Sequence, residues 1–138
     1  MAFTLKDAAV KNTGALPSAA STTVDVAALN LGHGSHGDFV AGAEFKVSAP
    51  AVNTTMAPDT RTFTYSIIHS DNADLSSPTV LYPSVIVQTG ASSAGAAAAT
   101  YTVRLPVDVK QYVGVRVVSG ASTADASTVS VTLEALFG

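Results

Sequence analysis

The chain has 138 residues, enough for one ordinary domain, and no cysteine, which excludes a disulfide framework, a thiolate zinc site and a cysteine nucleophile. Seven Lys and Arg against ten Asp and Glu give a net charge of −3 without any basic run, so the positive footprint of a nucleic-acid binder is missing. The sequence shows no signal-peptide pattern and no apolar stretch long enough for a membrane helix, so we expect no membrane partner.

The low charge content is the most unusual feature of the composition. Charged residues make up 12% of the chain, against roughly 25% in a typical soluble domain. A neutral surface loses little hydration when a partner covers it, but it keeps an isolated protein poorly soluble. The composition is therefore either a bias without consequence or the mark of a surface that partners cover.

Residues 1–22 show no sustained hydrophobic period, because scattered apolar residues alternate with Gly14, Pro17 and small polar side chains. This pattern predicts an extended N-terminal arm with room for one short strand, and such arms are disordered unless something pins them. The remaining residues, 23–138, are predicted to form one domain.

The rest of the chain alternates apolar and polar residues with period two, which indicates half-buried strands. Pro83 interrupts one of these runs and predicts an edge strand, a bulge or a break, because proline donates no ladder hydrogen bond. In the run that begins at Thr100, the alternation predicts that Tyr101, Val103 and Leu105 face inward. The predicted strands cover residues 22–31, 43–49, 61–70, 79–89, 100–106, 111–119 and 127–137.

Seven or eight short strands separated by turn residues predict an all-β fold, a jelly-roll-like antiparallel β-sandwich with the N-terminal arm attached. Aromatic residues are only 7% of the chain, and the thin core between two sheets suits a filling of Val, Leu, Ile and Ala. An immunoglobulin-like sandwich is the alternative, although the cysteine pair and the strand tryptophan of that fold are absent.

The stretch LGHGSHGDF, residues 31–39, contains two possible sites. Its glycines fit the G-x-G-x-x-G pattern of a dinucleotide-binding turn, but such a turn must open a helix, and a strand pattern and Pro50 follow here. His33, His36 and Asp38 could ligate zinc, but ordering a loop with so many glycines is costly. We therefore expect a glycine-rich connection with exposed histidines, and no cofactor or metal.

The other polar residues offer no better constellation for catalysis. The HGSHG stretch misses the first glycine of the nucleophile elbow, and no strand-turn-helix context surrounds it. His69 follows two isoleucines at the end of a predicted strand, where a histidine is usually structural. Asp71 and Asp74 do not have the spacing of a calcium loop. We therefore do not expect an enzyme.

Several segments, in their order and spacing, resemble the phage capsid-stabilising, or decoration (cement), proteins of the Bordetella phage type. The resemblance spans roughly residues 22–137 and is most specific in HSDNADLSSPTVL, residues 69–81, and LPVDVKQYVGV, residues 105–115. The paired histidines of the glycine loop depart from the family pattern.

The resemblance implies a jelly-roll-like sandwich that binds the exterior of an icosahedral shell at junctions between subunits of the major capsid protein. It implies a homodimer or homotrimer, and a protein that is assembled in the host cytoplasm and located in the virion. In this interpretation, apolar arm residues and the loop histidines contact the capsid or another copy. These candidate contact residues are Phe3, Leu5, Val10, Leu16, His33 and His36.

Two functions from other classes compete with decoration. The first is a carbohydrate-binding or host-surface-binding β-sandwich module of a virion. Such modules usually present aromatic platforms, whereas this chain has no Trp and four Tyr, most of them at inward positions of the alternation. The second is a small hydrolase, against which the missing acid, base and nucleophile argue.

Overall fold

The structure is a computed structural model that describes residues 11–31, 43–106 and 108–137. Eight strands and no helix occur within these residues, so the all-β prediction is confirmed. The strands are β1 (Lys11–Ala15), β2 (Thr23–Asn30), β3 (Ala43–Ala49), β4 (Thr62–Ser70), β5 (Thr79–Thr89), β6 (Ala99–Val103), β7 (Tyr112–Ser119) and β8 (Ser130–Phe137).

The strands form two antiparallel sheets of four strands each. Sheet A has the order β1-β8-β3-β6 and sheet B the order β2-β7-β4-β5. This arrangement is the eight-stranded double-sheet order of a jelly roll, in which neighbouring strands come from distant parts of the chain. Because these strands pair in antiparallel fashion, each can keep one face on the core and one toward solvent.

The core lies between the two sheets and is built from the inward residues of the alternating strands. Phe63, Tyr65 and Ile67 of β4 pack in one cluster with the three inward valines of β7 and with residues of β3 and β8 in sheet A. All of these central side chains are fully buried. The sheet A and β7 members are Phe45, Val47, Val113, Val115, Val117, Val131 and Leu133.

The connections of the sandwich gather at its two ends. At the first end, which we call the pocket end, the Ala126 N–H donates to Pro17 O at 3.0 Å and the Ala124 N–H donates to Met56 O at 3.1 Å. At the opposite end, which we call the histidine end because His69 lies there, the Leu31 N–H donates to the carbonyl of Gln111 at 2.7 Å.

The N-terminal region differs from the prediction of an arm over residues 1–22. Lys11–Ala15 pair with Glu134–Ser130 of β8, so this stretch is an edge strand of sheet A. Leu16 is 2% exposed and lies in the core cluster, and its N–H donates to Val129 O at 3.1 Å. The described part of the sandwich therefore begins at Lys11 and not at residue 23.

The edge strands β5 and β6 bear on two predictions from the sequence, those for Pro83 and for Tyr101. β5 is an edge strand whose register shifts opposite Tyr65, Ile67 and Ile68, and Ser84 has a φ of 51°. The prediction of an edge or bulge at Pro83 is confirmed. Tyr101 pairs with the fully buried Val47, so the prediction that it faces inward is confirmed, but β6 is the edge of sheet A and leaves this side chain 39% exposed.

Candidate interaction surface

The outer face of sheet B carries a continuous row of β-branched residues. The strand register places Thr23 beside Val118, Val118 beside Thr64, and Thr64 beside Val87. Val87 is 53% exposed and is the most exposed of the large hydrophobic residues in the described part of the chain. We call these four residues the Thr/Val row.

The charges on this face cancel each other. Asp25 and Arg116 are the only Asp, Glu, Lys or Arg in the four strands of sheet B. The Arg116 guanidinium donates from Nε to Asp25 Oδ1 at 2.8 Å and from a terminal nitrogen to Asp25 Oδ2 at 3.0 Å. This bonding raises the pKa of Arg116 above its ordinary value. Because both partners are already paired, the face as a whole is close to neutral.

The outer face of sheet A is different, because several charged side chains lie on it. Lys11 and Lys46 flank Glu134 across neighbouring strands. Arg104 Nε lies 4.0 Å from Glu44 Oε2. Covering such a face requires the removal of water from several charges, which costs more than covering threonine and valine. Of the two outer faces, that of sheet B is therefore the better candidate for a partner surface.

The loop between β4 and β5 folds over the histidine end of sheet B. Ile68 points outward from β4 and is nevertheless fully buried, and Leu75 of the loop is buried as well. Leu75 packs so closely on β7 that a Cβ at Gly114 would collide with Leu75 Cδ1. Only glycine fits at position 114 without displacing this cover.

A pocket of about 460 Å³ opens at the pocket end. Small and apolar residues line most of it, among them Val52, Met56, Ala96 and Val129. Asn53 also lines it, but its side-chain Oδ1 already accepts the N–H groups of Thr55 and Met56. The lining therefore offers shape and apolar area but little polar recognition.

Of the six residues that the sequence predicts as contacts, Leu16 is the one that the structure describes. Leu16 is a core residue, so its prediction as a free contact residue is wrong, for the reason that its side chain packs inside the sandwich. The others lie outside the described residues. They are Phe3, Leu5, Val10, His33 and His36.

His69 has the structural role expected of it. It is 8% exposed, and its Nδ1 accepts the backbone N–H of Lys110 at 3.1 Å. Asp74 also serves the fold, because its carboxylate accepts the Ser76 N–H at 3.0 Å, and hydrogen bonds from the Ser76 hydroxyl and from this N–H lower the pKa of Asp74. Within residues 11–31, 43–106 and 108–137, no group of three or more His, Asp or Glu is placed to hold a metal ion.

Sequence analysis missed the Thr/Val row because the row exists only through strand register. The alternation of β4 does place Thr64 outward, and that of β7 places Val118 on the same side. A linear pattern does not show that these residues and Val87 become neighbours.

Comparison of the sequence with models of known protein families finds no match, and comparison with curated proteins finds no significant relative. Among the described residues, no helix is long and apolar enough to cross a membrane.

Proposed function

We propose that the chain is a phage capsid decoration (cement) protein. It binds the outer surface of an icosahedral shell at junctions between major capsid protein subunits and stabilises the shell, as a homodimer or homotrimer. The observation that carries this proposal is the neutral outer face of sheet B, which the Thr/Val row crosses from β2 to β5 and whose ion pair is satisfied within the face.

A decoration protein needs a surface that is easy to desolvate. Burying an exposed valine gains about 1.5 to 3 kcal/mol at most, and burying a threonine requires no charge to leave water. Each such contact is weak, but an oligomer that touches several subunits multiplies its affinity by about 10² to 10⁴. Binding to the mature shell and not to its dissociated subunits then stabilises the shell by mass action.

The resemblance to decoration proteins adds independent support, because its two most specific segments meet in space. Lys110 Nζ lies 3.6 Å from Asp71 Oδ2, and Leu75 packs against Gly114. Residues 69–81 and 105–115 thus contact each other at the histidine end. The likeness in these segments supports a shared fold, and the neutral face connects that fold to shell binding.

The N-terminal residues extend the same proposal. β1 begins at Lys11, whose partner Glu134 lies near the end of β8. Residues 1–10 can span about 33 to 36 Å when fully extended, so contacts made by them could lie well beyond the edge of β1. Phe3, Leu5 and Val10 remain predicted contact residues on this segment.

The Val87→Glu variant tests the proposed face. A carboxylate within the contact would have to be desolvated or left out of the interface, so we expect co-sedimentation with expanded shells to weaken about tenfold or more. The shells are assembled from the major capsid protein encoded in the same genome. Binding is measured as the bound fraction against protein concentration.

Thr100→Glu is the matched control, since Thr100 belongs to the edge strand of the other sheet, on the outer face of sheet A. It should bind shells within about twofold of the wild type, because a surface charge outside the contact has little effect. If both variants lost shell binding equally, or if Val87→Glu bound as the wild type does, the proposal that sheet B contacts the shell would be contradicted. Circular dichroism confirms that both variants are folded.

A further inference from the structure

His69 joins three parts of the chain at the histidine end. It lies at the end of β4, where it pairs with Thr79 of β5 on one side and Val113 of β7 on the other. Its Nδ1 accepts the N–H of Lys110, in the segment that leads into β7. An acceptor at Nδ1 requires the neutral ring with its proton on Nε2, because a protonated imidazole has donors at both nitrogens.

The segment held by His69 is itself an anchor for β2. Gln111 follows Lys110, and its carbonyl accepts the Leu31 N–H at 2.7 Å, just after β2 ends. The Gln111 side chain also donates to Asn30 Oδ1 at 3.1 Å. The hydrogen bond of His69 and the hydrogen bond at the end of β2 are thus made by two consecutive residues, Lys110 and Gln111.

We infer that His69 is a pH-sensitive latch, whose neutral ring fastens residues 108–111 to β4 and whose protonation releases them together with the Leu31–Gln111 bond. Protonation turns Nδ1 from an acceptor into a donor, so two N–H groups then face each other where one hydrogen bond was. The latch requires no shell and is independent of the proposed function.

The charged neighbours of His69 set the direction of its response. Burial, which disfavours the charged ring, and the positive Lys110 lower the pKa of His69, while Asp108 and Asp71 have smaller effects in the opposite sense. The strand residues beside it, Thr79 and Val113, carry no charge. Because the folded pKa lies below the unfolded one, the stabilisation is complete above the unfolded value of about 6.5. It declines as the pH falls through that value toward the folded pKa.

The test is the hydrogen-exchange protection of the Lys110 and Leu31 amides, measured by NMR between about pH 7.5 and pH 5 and corrected for intrinsic exchange. In the wild-type protein we expect both protection factors to fall by about fivefold or more, the factor that corresponds to one hydrogen bond. In His69→Asn, the side-chain oxygen replaces the Nδ1 acceptor and does not titrate. Its protection factors should not change with pH.

Two more variants separate the latch from other effects of acid. His69→Leu lacks any acceptor and should show the low protection at every pH. His33→Asn/His36→Asn should keep the wild-type response, since His69 is unchanged. Wild-type protection that is independent of pH, or an equal fall in His69→Asn, would overturn the inference. A His69 ring that titrates without any change at the Lys110 amide would also overturn it.

Discussion

Deleting residues 2–20 should abolish cooperative folding, whereas deleting residues 2–10 should leave the protein folded. The longer deletion removes β1, which covers one edge of β8, and it removes Leu16 from the core. Gly14 lies so close to β2 that a Cβ there would collide with Val26, which shows how tightly β1 closes this side of the sandwich. The shorter deletion leaves β1 and Leu16 in place.

Urea unfolding followed by circular dichroism measures this difference. Leu16→Ala isolates the core contribution, and its free energy of unfolding should fall by about 2 to 5 kcal/mol, the range for truncating a buried leucine. Ala15→Ser, at the exposed neighbouring position, is the control and should change the stability by less than about 0.5 kcal/mol. A cooperative transition of normal stability after deletion of residues 2–20 would contradict the assignment of β1 to the sandwich.

These deletions also decide how the arm can be tested in shell binding. The deletion of residues 2–20 would lose binding through unfolding alone, so it says nothing about contacts. The deletion of residues 2–10 removes Phe3, Leu5 and Val10 while keeping all of the strands from β1 to β8. A loss of shell binding in that variant, with unchanged unfolding, would support the predicted contacts.

Replacing Gln88 with leucine should be nearly as destabilising. Gln88 is 4% exposed and points into the core from β5, where its Oε1 accepts the hydroxyl of Tyr65 at 2.6 Å. Its Nε2 donates to Pro50 O at 2.7 Å and to Ala97 O at 3.0 Å. The leucine leaves these polar groups without their partner, so we expect a loss of about 3 kcal/mol.

A double-mutant cycle shows whether the loss comes from this network. Tyr65→Phe removes the hydroxyl whose pKa burial raises above its ordinary value, and it should recover part of the loss in the Gln88→Leu background. Gln111→Leu is the control at a half-exposed glutamine and should cost about 1 kcal/mol or less. Additive effects of Tyr65→Phe and Gln88→Leu would contradict a shared network.

The strands of the core could be predicted because they bury alternate side chains. Phe63, Tyr65 and Ile67 reveal β4 by period alone, and Pro83 is enough to mark β5 as irregular. β1 has no such signal, since the residues of KNTGA are exposed or half-buried and its place is fixed by pairing with β8 and by Leu16 beyond it. The hydrophobic pattern cannot show an edge strand that buries little.

The candidate surface was less predictable than the fold. Val87 and Thr23 are far apart in sequence, and only the order β2-β7-β4-β5 brings them into one row. For Tyr101 the alternation gives the correct inward face, but it does not show that the side chain stays exposed at the edge of sheet A. In both cases the deciding information is the position of a strand within its sheet, which depends on long-range pairing.

Co-sedimentation of the wild-type chain with expanded and unexpanded shells of the same major capsid protein tests the proposed function most directly. A decoration protein should bind the expanded shell to saturation, at a fixed ratio to its subunits, and should raise the temperature at which that shell dissociates. It should leave the unexpanded shell free. Absence of saturable binding to the expanded shell would contradict the role in capsid stabilisation.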